Sequence, residues 1–234
     1  MRRLGPGAAA LLIAPLILGV AAAAAAPITP ARARAIVAAV ELRQSDLPGT
    51  TSVPDPLDEQ AKKIDNQLTA CIGGVPLARE LAAAQSRAFI GRPLAFVGSF
   101  ADVLPSTALV ASDFAASLRT RALACDTKGA QFSLSPLATG LRVASAKSVF
   151  IGSPLPGLEH EWACRTTVVL VHTGPSVPVL AANDLPPTYV DLVEGAVGPA
   201  EFEIEIVTSR SPPPAATERR LLGLLAARAR KALA

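Results

Sequence analysis

The sequence predicts an α+β fold: an antiparallel sheet covered by helices, in a two- or three-layer sandwich, as a single domain after a signal segment. Three observations lead there. Apolar residues recur at helical spacing near both ends of the chain and in its middle. Period-two alternation is concentrated between residues 141 and 208. Helices and strands are therefore grouped rather than alternating one by one, which favours an antiparallel sheet over a parallel one. The chain has 234 residues, of which 50% are hydrophobic and 18% charged, enough apolar surface for one core.

Met1-Arg2-Arg3 is a cationic head, and Ala8 to Ala26 follows with no charge. This is a secretory signal pattern. The expected division is a signal peptide over 1–25, an N-terminal helix and Pro-rich loop over 26–56, and the α+β domain over 57–234, with the N-terminal helix packed on it. Cleavage leaves a mature chain starting near Ala26; the alternative is an uncleaved anchor helix. Cutting there removes Arg2 and Arg3 and lowers the formal net charge from +3 to +1.

Ala31 to Arg43 carries Ile36, Val37 and Val40 on one helical face and ends before Leu47-Pro48-Gly49, a type II turn signal. Thr50 to Pro56 has the composition of a surface loop. Leu57 to Ala70 predicts a polar helix running into Cys71 and the breaker Gly73-Gly74, and Leu77 to Gln85 a short helix. From Arg87 to Leu104 the pattern predicts a strand bent near Gly91-Arg92-Pro93. Pro105-Ser106-Thr107 supplies a capping hydroxyl for one helix reaching about Ala124, whose apolar stripe ends on Cys125.

Strands are expected at Leu141–Ile151, Glu161–His172 and Val177–Ala181, with Trp162 and Cys164 on one face of the second. Tyr189–Val193 and Glu201–Thr208 read as a hairpin around Gly195–Pro199. Phe202, Ile204 and Ile206 are expected inward, and Glu201, Glu203 and Glu205 outward on a solvated face. Thr217 begins a last helix rich in leucine.

Three cysteines in an exported chain allow one disulfide. Cys71, at a helix end beside two glycines, can reach a partner, and Cys125 closes the middle helix. Cys164 beside Trp162 on a core-facing strand reads as a buried free thiol. Cys71–Cys125 is the favoured pair and Cys125–Cys164 the alternative.

The order Ser45-Asp46-Leu47-Pro48-Gly49, then Ala70-Cys71-Ile72-Gly73, a strand with Ser99, a helix closing on Cys125, Tyr189-Val190-Asp191-Leu192 in a hairpin and an Arg-rich terminal helix resembles a group of exported proteins from high-GC actinobacteria. That group is similar in outline to the extracellular sensor domains of mycobacterial receptor-type Ser/Thr kinases and to PsbP-like lipoproteins. The chain departs from the group in lacking a large aromatic soon after the Leu-Pro-Gly turn and a fourth cysteine. The resemblance implies helices over an antiparallel sheet, an envelope location and a sensor-like role. The 46 alanines agree with a GC-rich source.

The residues exclude several chemistries. With 17 Arg and 5 Lys scattered and only 4% aromatics, the chain lacks the basic, aromatic-interleaved stripe of a nucleic-acid binder. His160 and His172 are the two imidazoles, and neither has a ligand pair at metal spacing. They read as solvated strand ends. No Gly-x-Ser-x-Gly elbow occurs, and Gly152 to Gly157 reads as a loop rather than a phosphate cradle. No catalytic residue, metal site or cofactor is therefore expected.

Two surfaces are expected to carry function. Phe96, Phe100, Trp162 and Tyr189 mark a candidate ligand surface on the sheet or beside it. Arg219, Arg220, Arg228, Arg230 and Lys231 give the last helix a cationic end, which suits its dipole first and an anionic partner or membrane surface second. The leading expectation is an exported, non-catalytic envelope protein that binds an unknown envelope ligand or protein. The alternatives are a membrane-anchored structural protein and a hydrolase using a carboxylate pair in the Asp191 and Glu203 region.

Overall fold

A computed structural model describes residues 27–54, 58–92, 94–134, 141–152, 155, 158–172 and 185–234. The signal or anchor segment, the strand expected at Val177–Ala181 and most of the 152–157 loop lie outside those residues.

Helix α1 spans Pro30–Val40, with Thr29 accepting the Arg32 amide at 3.2 Å and Pro30 at its first turn. Its Ile36, Val37 and Val40 are buried as their spacing requires. The chain then turns at Leu47-Pro48-Gly49-Thr50, closed by the Thr50 amide on the Leu47 carbonyl, with Gly49 at φ +82°. Residues 51–53, read as loop, form a short edge strand β1 (Thr51–Val53). Helix α2 covers Asp58–Ile72 and stops where Gly73, at φ +83°, and Gly74 return their amides to the Thr69 carbonyl.

The short helix expected over 77–85 is a single 3-10 turn at Leu77–Arg79 followed by strand β2 (Ala82–Gln85). Three alanines favour helix locally, but pairing with the next strand wins. The bent strand expected over 87–104 is two antiparallel strands, β3 (Ala88–Ile90) and β4 (Leu94–Val103), with the Gly91 amide on the Leu94 carbonyl. The middle helix is two helices, α3 (Thr107–Ser117), capped by Ser106, and α4 (Thr120–Leu134). The break at Leu118-Arg119 leaves the apolar phase nearly unchanged, so periodicity did not register it.

Strands β5 (Leu141–Phe150), β6 (His160–His172), β7 (Thr188–Val197) and β8 (Ala200–Ser209) follow, then helix α5 (Ala215–Leu233). The β7–β8 hairpin is longer and tighter than expected, turning at Gly198-Pro199. All strands join one antiparallel sheet in the order β1-β3-β4-β8-β7-β6-β5, with β2 paired to β4.

Helices α1 and α5 cover one face of this sheet. Phe202, Ile204 and Ile206 of β8 and Val193 of β7 point there and meet Leu221, Leu222 and Leu225 of α5 and the buried side of α1. Burying each such side chain contributes about 1.5–3 kcal/mol before the entropy of ordering it. A bidentate ion pair adds to this contact: Arg228 of α5 reaches both Asp46 carboxylate oxygens at 2.8 Å and the Glu41 carbonyl at 2.9 Å. Arg220 donates to the Asp46 carbonyl at 2.9 Å.

Helices α2, α3 and α4 cover the other face. A disulfide between Cys71 and Cys125 ties α2 to α4, with Cα atoms 5.9 Å apart, and Ile72, Ala116 and Ala122 pack around it. Phe114 and Val110 of α3 pack on Trp162, Cys164 and Leu104. The result is a three-layer α+β domain, helices on both sides of one sheet. Among the described residues no helix is long and apolar enough to cross a membrane.

Candidate functional site: an acidic cavity between sheet and helices

The alternation of β8 determines this site. Because Phe202, Ile204 and Ile206 face α1 and α5, Glu201, Glu203 and Glu205 must face the opposite layer. That face is not solvated, contrary to the sequence expectation. Helices α2 to α4 roof it, Glu201 is only 5% exposed, and Glu203 and Glu205 are half-buried. Alternation reports that two faces differ, not what covers each one.

The sheet register arranges the site in rows. Asp102 of β4 is opposite Glu201. The next row runs Phe100, Glu203, Glu194, Trp162 across β4, β8, β7 and β6. Then come Gly98, Glu205 and Leu192, and finally Phe96 and Val207. Carboxylates thus occupy the first three rows, the second of them flanked by two aromatic rings, and only the last row is apolar. Above them is a cavity of about 410 Å³, closed by α2 through Ile64, Leu68 and Ile72, by the 74–80 segment and by Asp113 of α3. Among the described residues nine carboxylate side chains line it and no Lys, Arg or His does.

Local sequence positions these groups. Asp113 accepts the Val75 amide just past the α2 C-terminus. A side chain at position 74 would come within 2.6 Å of that carboxylate, so Gly74 permits the approach. The Trp162 indole N–H donates to Glu194. Asp126 of α4 is 3% exposed; its Oδ2 accepts the Cys164 thiol at 3.6 Å, and its Oδ1 has no partner. Glu201 Oε1 is likewise buried with no partner. Asp113, Glu194 and Glu201 bring one oxygen each within 4.8 Å of one another.

Electrostatics follow from burial and from the crowding of like charges. Desolvation, then the charges of Glu80 and Asp113, pushes Asp102 well above the usual carboxylate range. Desolvation and then Asp102 and Glu194 push Glu201 up as well, and a hydrogen bond links the Asp102 and Glu201 carboxyls, so the two titrate as a pair. Desolvation first, and neighbouring carboxylates second, raise Glu194 and Glu203 in the same direction. Desolvation raises Glu80 to about 7, helped by Asp65 and Asp113, and raises Asp126 to about 6. Burial, then Asp126, holds Cys164 as a thiol far above its ordinary pKa.

The predicted site residues divide between the two faces. Phe96, Phe100 and Trp162 line the cavity. Tyr189 does not: it pairs with Thr208 and shares the opposite face with Asp191 and Val193. Asp191 is also on that face, fully buried, holding Arg165 bidentately at 2.7 and 2.6 Å, with Glu218 of α5 3.6 Å from the same guanidinium. Asp191 and Glu203 therefore lie on opposite sides of the sheet and form no pair for hydrolysis.

The cationic helix end is divided too. Arg220 and Arg228 are committed to the Asp46 contact, while Arg219, Arg230 and Lys231 are exposed. Cys71 and Cys125 form the disulfide and Cys164 is free and buried. His160 packs its ring against Phe114 with centroids 5.4 Å apart, rather than being solvated, and His172 is exposed at its strand end.

Sequence reasoning missed Asp102, Asp113 and Asp126, and it read the glutamates as a solvated acidic patch rather than a roofed one. The available signal was the coincidence of alternating Glu on β8 with Asp102 on a strand otherwise made of small and apolar residues.

No protein-family model matches the chain, and no curated protein matches it significantly. A search of solved structures finds the extracellular domain of PknH from Mycobacterium tuberculosis, at TM-score 0.34 and 10% identity, covering 88% of this chain and 98% of that one.

Proposed function

We propose that this chain is an exported, non-catalytic binding domain of the cell envelope, and that its ligand occupies the cavity between the sheet and α2–α4. The observation that carries this reading is the cavity itself. Its volume, about 410 Å³, lies in the range of small-molecule sites, and its walls combine apolar and aromatic side chains with nine carboxylates.

Two further observations support the reading. The charged head and apolar run at residues 1–26 suit export, and the Cys71–Cys125 disulfide suits an oxidising compartment. The carboxylate pair expected for hydrolysis is split, with Asp191 and Glu203 on opposite faces of the sheet, and this favours binding over that hydrolysis.

The test is a thermal-shift and native mass spectrometry screen of small molecules from the envelope, on the wild-type protein and on Gly98→Phe, which fills the cavity floor. A ligand that raises Tm in the wild type and not in the variant supports the reading. Equal shifts in both, or none in either, overturn it. N-terminal sequencing of the native protein tests export: a start near Ala26 is expected, and a retained Met1 favours the anchored alternative.

A further inference from the structure

Burying carboxylates without cations is costly. Each ionised group loses several kcal/mol of hydration, and apolar residues of the same size would fill the space more stably. The Asp191 and Glu218 carboxylates on the opposite face have Arg165 between them. Asp113, Glu194 and Glu201 have no such cation among the described side chains that line the cavity. Two of the most buried, Glu201 at 5% and Asp126 at 3% exposure, each leave one oxygen with no hydrogen-bond partner. A buried oxygen left open beside an empty volume is an acceptor awaiting a donor from outside the chain.

The space is larger than an ion requires. Six waters around a divalent cation occupy roughly 180 Å³, at about 30 Å³ each, less than half of the cavity. Phe100 and Trp162 flank the Glu203–Glu194 pair in one row, where an aromatic ring can attract a cation, and beyond the Glu205 row Phe96 and Val207 continue the wall without charge. The graded wall matches a molecule with a charged head and an apolar body.

Resting on the cavity-binding reading above, we propose that the ligand is an organic cation, an ammonium or guanidinium group on an apolar chain or ring. The head donates hydrogen bonds to Glu201, Glu194 and Asp113, and the body lies along Phe100, Phe96 and Leu192. Burial and its acidic neighbours hold the proton on Glu201 in the empty protein, and a cation beside it favours the ionised form, so binding releases a proton and weakens as the pH falls.

The probes are hexylamine, 1,6-diaminohexane and 2-phenylethylamine, each beside its alcohol: hexanol, 1,6-hexanediol and 2-phenylethanol. Calorimetry at pH 7 in two buffers of different ionisation enthalpy reads affinity and proton release together. At least one amine is expected to bind ten-fold or more tightly than its alcohol, with proton release, and to weaken at least ten-fold at pH 5. Glu201→Gln is expected to lose at least ten-fold in amine affinity while keeping its circular dichroism and losing no thermal stability at pH 8. Asp102→Asn serves as the second variant if Glu201→Gln does not fold.

Amines and alcohols binding equally would overturn the cationic assignment and leave the cavity reading standing. Calcium chloride binding in the absence of amine binding would do the same. Binding by neither amine, alcohol nor calcium would overturn both.

Discussion

Asp126 offers a direct reading of what the buried carboxylates cost. Its ordinary pKa is 3.8 and desolvation raises it to about 6, with the Cys164 hydrogen bond pulling back. At about 1.4 kcal/mol per tenfold, that gap corresponds to roughly 3 kcal/mol. The sign is fixed by linkage: a carboxyl whose pKa is higher folded than unfolded contributes fully below the unfolded value and loses that contribution as the pH rises to the folded value. The loss therefore falls between about pH 4 and pH 6 and is complete at pH 7. Asp126→Asn cannot ionise and escapes it.

The assay is urea denaturation of wild type and variant at pH 4, 5, 6 and 7. The difference at pH 4 absorbs any packing change, and the other carboxyls largely cancel. The variant is expected to gain about 2–3 kcal/mol on the wild type from pH 4 to pH 7, mostly before pH 6.5. A difference that stays constant within about 0.5 kcal/mol, near the usual scatter for surface changes, would refute the buried-acid reasoning.

Three other outcomes follow from the packing. Arg228→Leu leaves Asp46, 7% exposed, without its bidentate partner; the Arg side chain is partly exposed, so the expected loss is about 2–3 kcal/mol rather than the larger cost of a fully buried pair. Burial raises Asp46, but the Arg228 hydrogen bonds, the Arg43 amide and the nearby cations outweigh it and leave the carboxyl below its usual value. The Arg228→Leu loss should therefore shrink only as the pH falls below about 4; an unchanged denaturation midpoint at pH 7 would contradict the clamp. Replacing Cys71 and Cys125 by alanine opens a link spanning 54 residues. It should cost about 4 kcal/mol in the chain-entropy estimate and weaken cavity ligands, because α2 is held to α4 there; unchanged urea stability would contradict it. Cys164 should resist iodoacetamide at pH 8 in the native protein and react on denaturation, as its buried thiol is held far from ionisation. Rapid native labelling would show that α4 does not cover it.

The sequence expressed local order well and layer order poorly. Ile36, Val37 and Val40 repeat at helical spacing and are buried on α1, because a single face meets a single neighbour. Glu201 to Ile206 gave the strand and its two faces correctly, yet the polar face is roofed by helices whose residues precede it by some seventy positions or more. Nothing within β8 encodes that cover. Ala82–Gln85 has helical composition but pairs with Phe100–Val103, a contact set by the position of β4. Phe96, Phe100 and Trp162, which stand out as aromatics among small neighbours, line the cavity. Tyr189 went to the other face because its odd position on β7 aligns it with Asp191. Arg228 and Asp46, 182 residues apart, carry no shared local signal.

Carboxyl carbon-13 NMR of the protein, titrated at several pH values before and after saturating hexylamine, tests the central claim most directly. Without ligand, Asp126 should titrate near 6 and Glu80 near 7, Glu201 should still be protonated at pH 7, and Glu194 and Glu203 should titrate well above the usual carboxylate range. With hexylamine, the titration of at least one of Glu194 and Glu201 should move to lower pH. Complete titration of every cavity carboxyl below pH 5 in the unliganded protein, or no change on adding the amine, would contradict it.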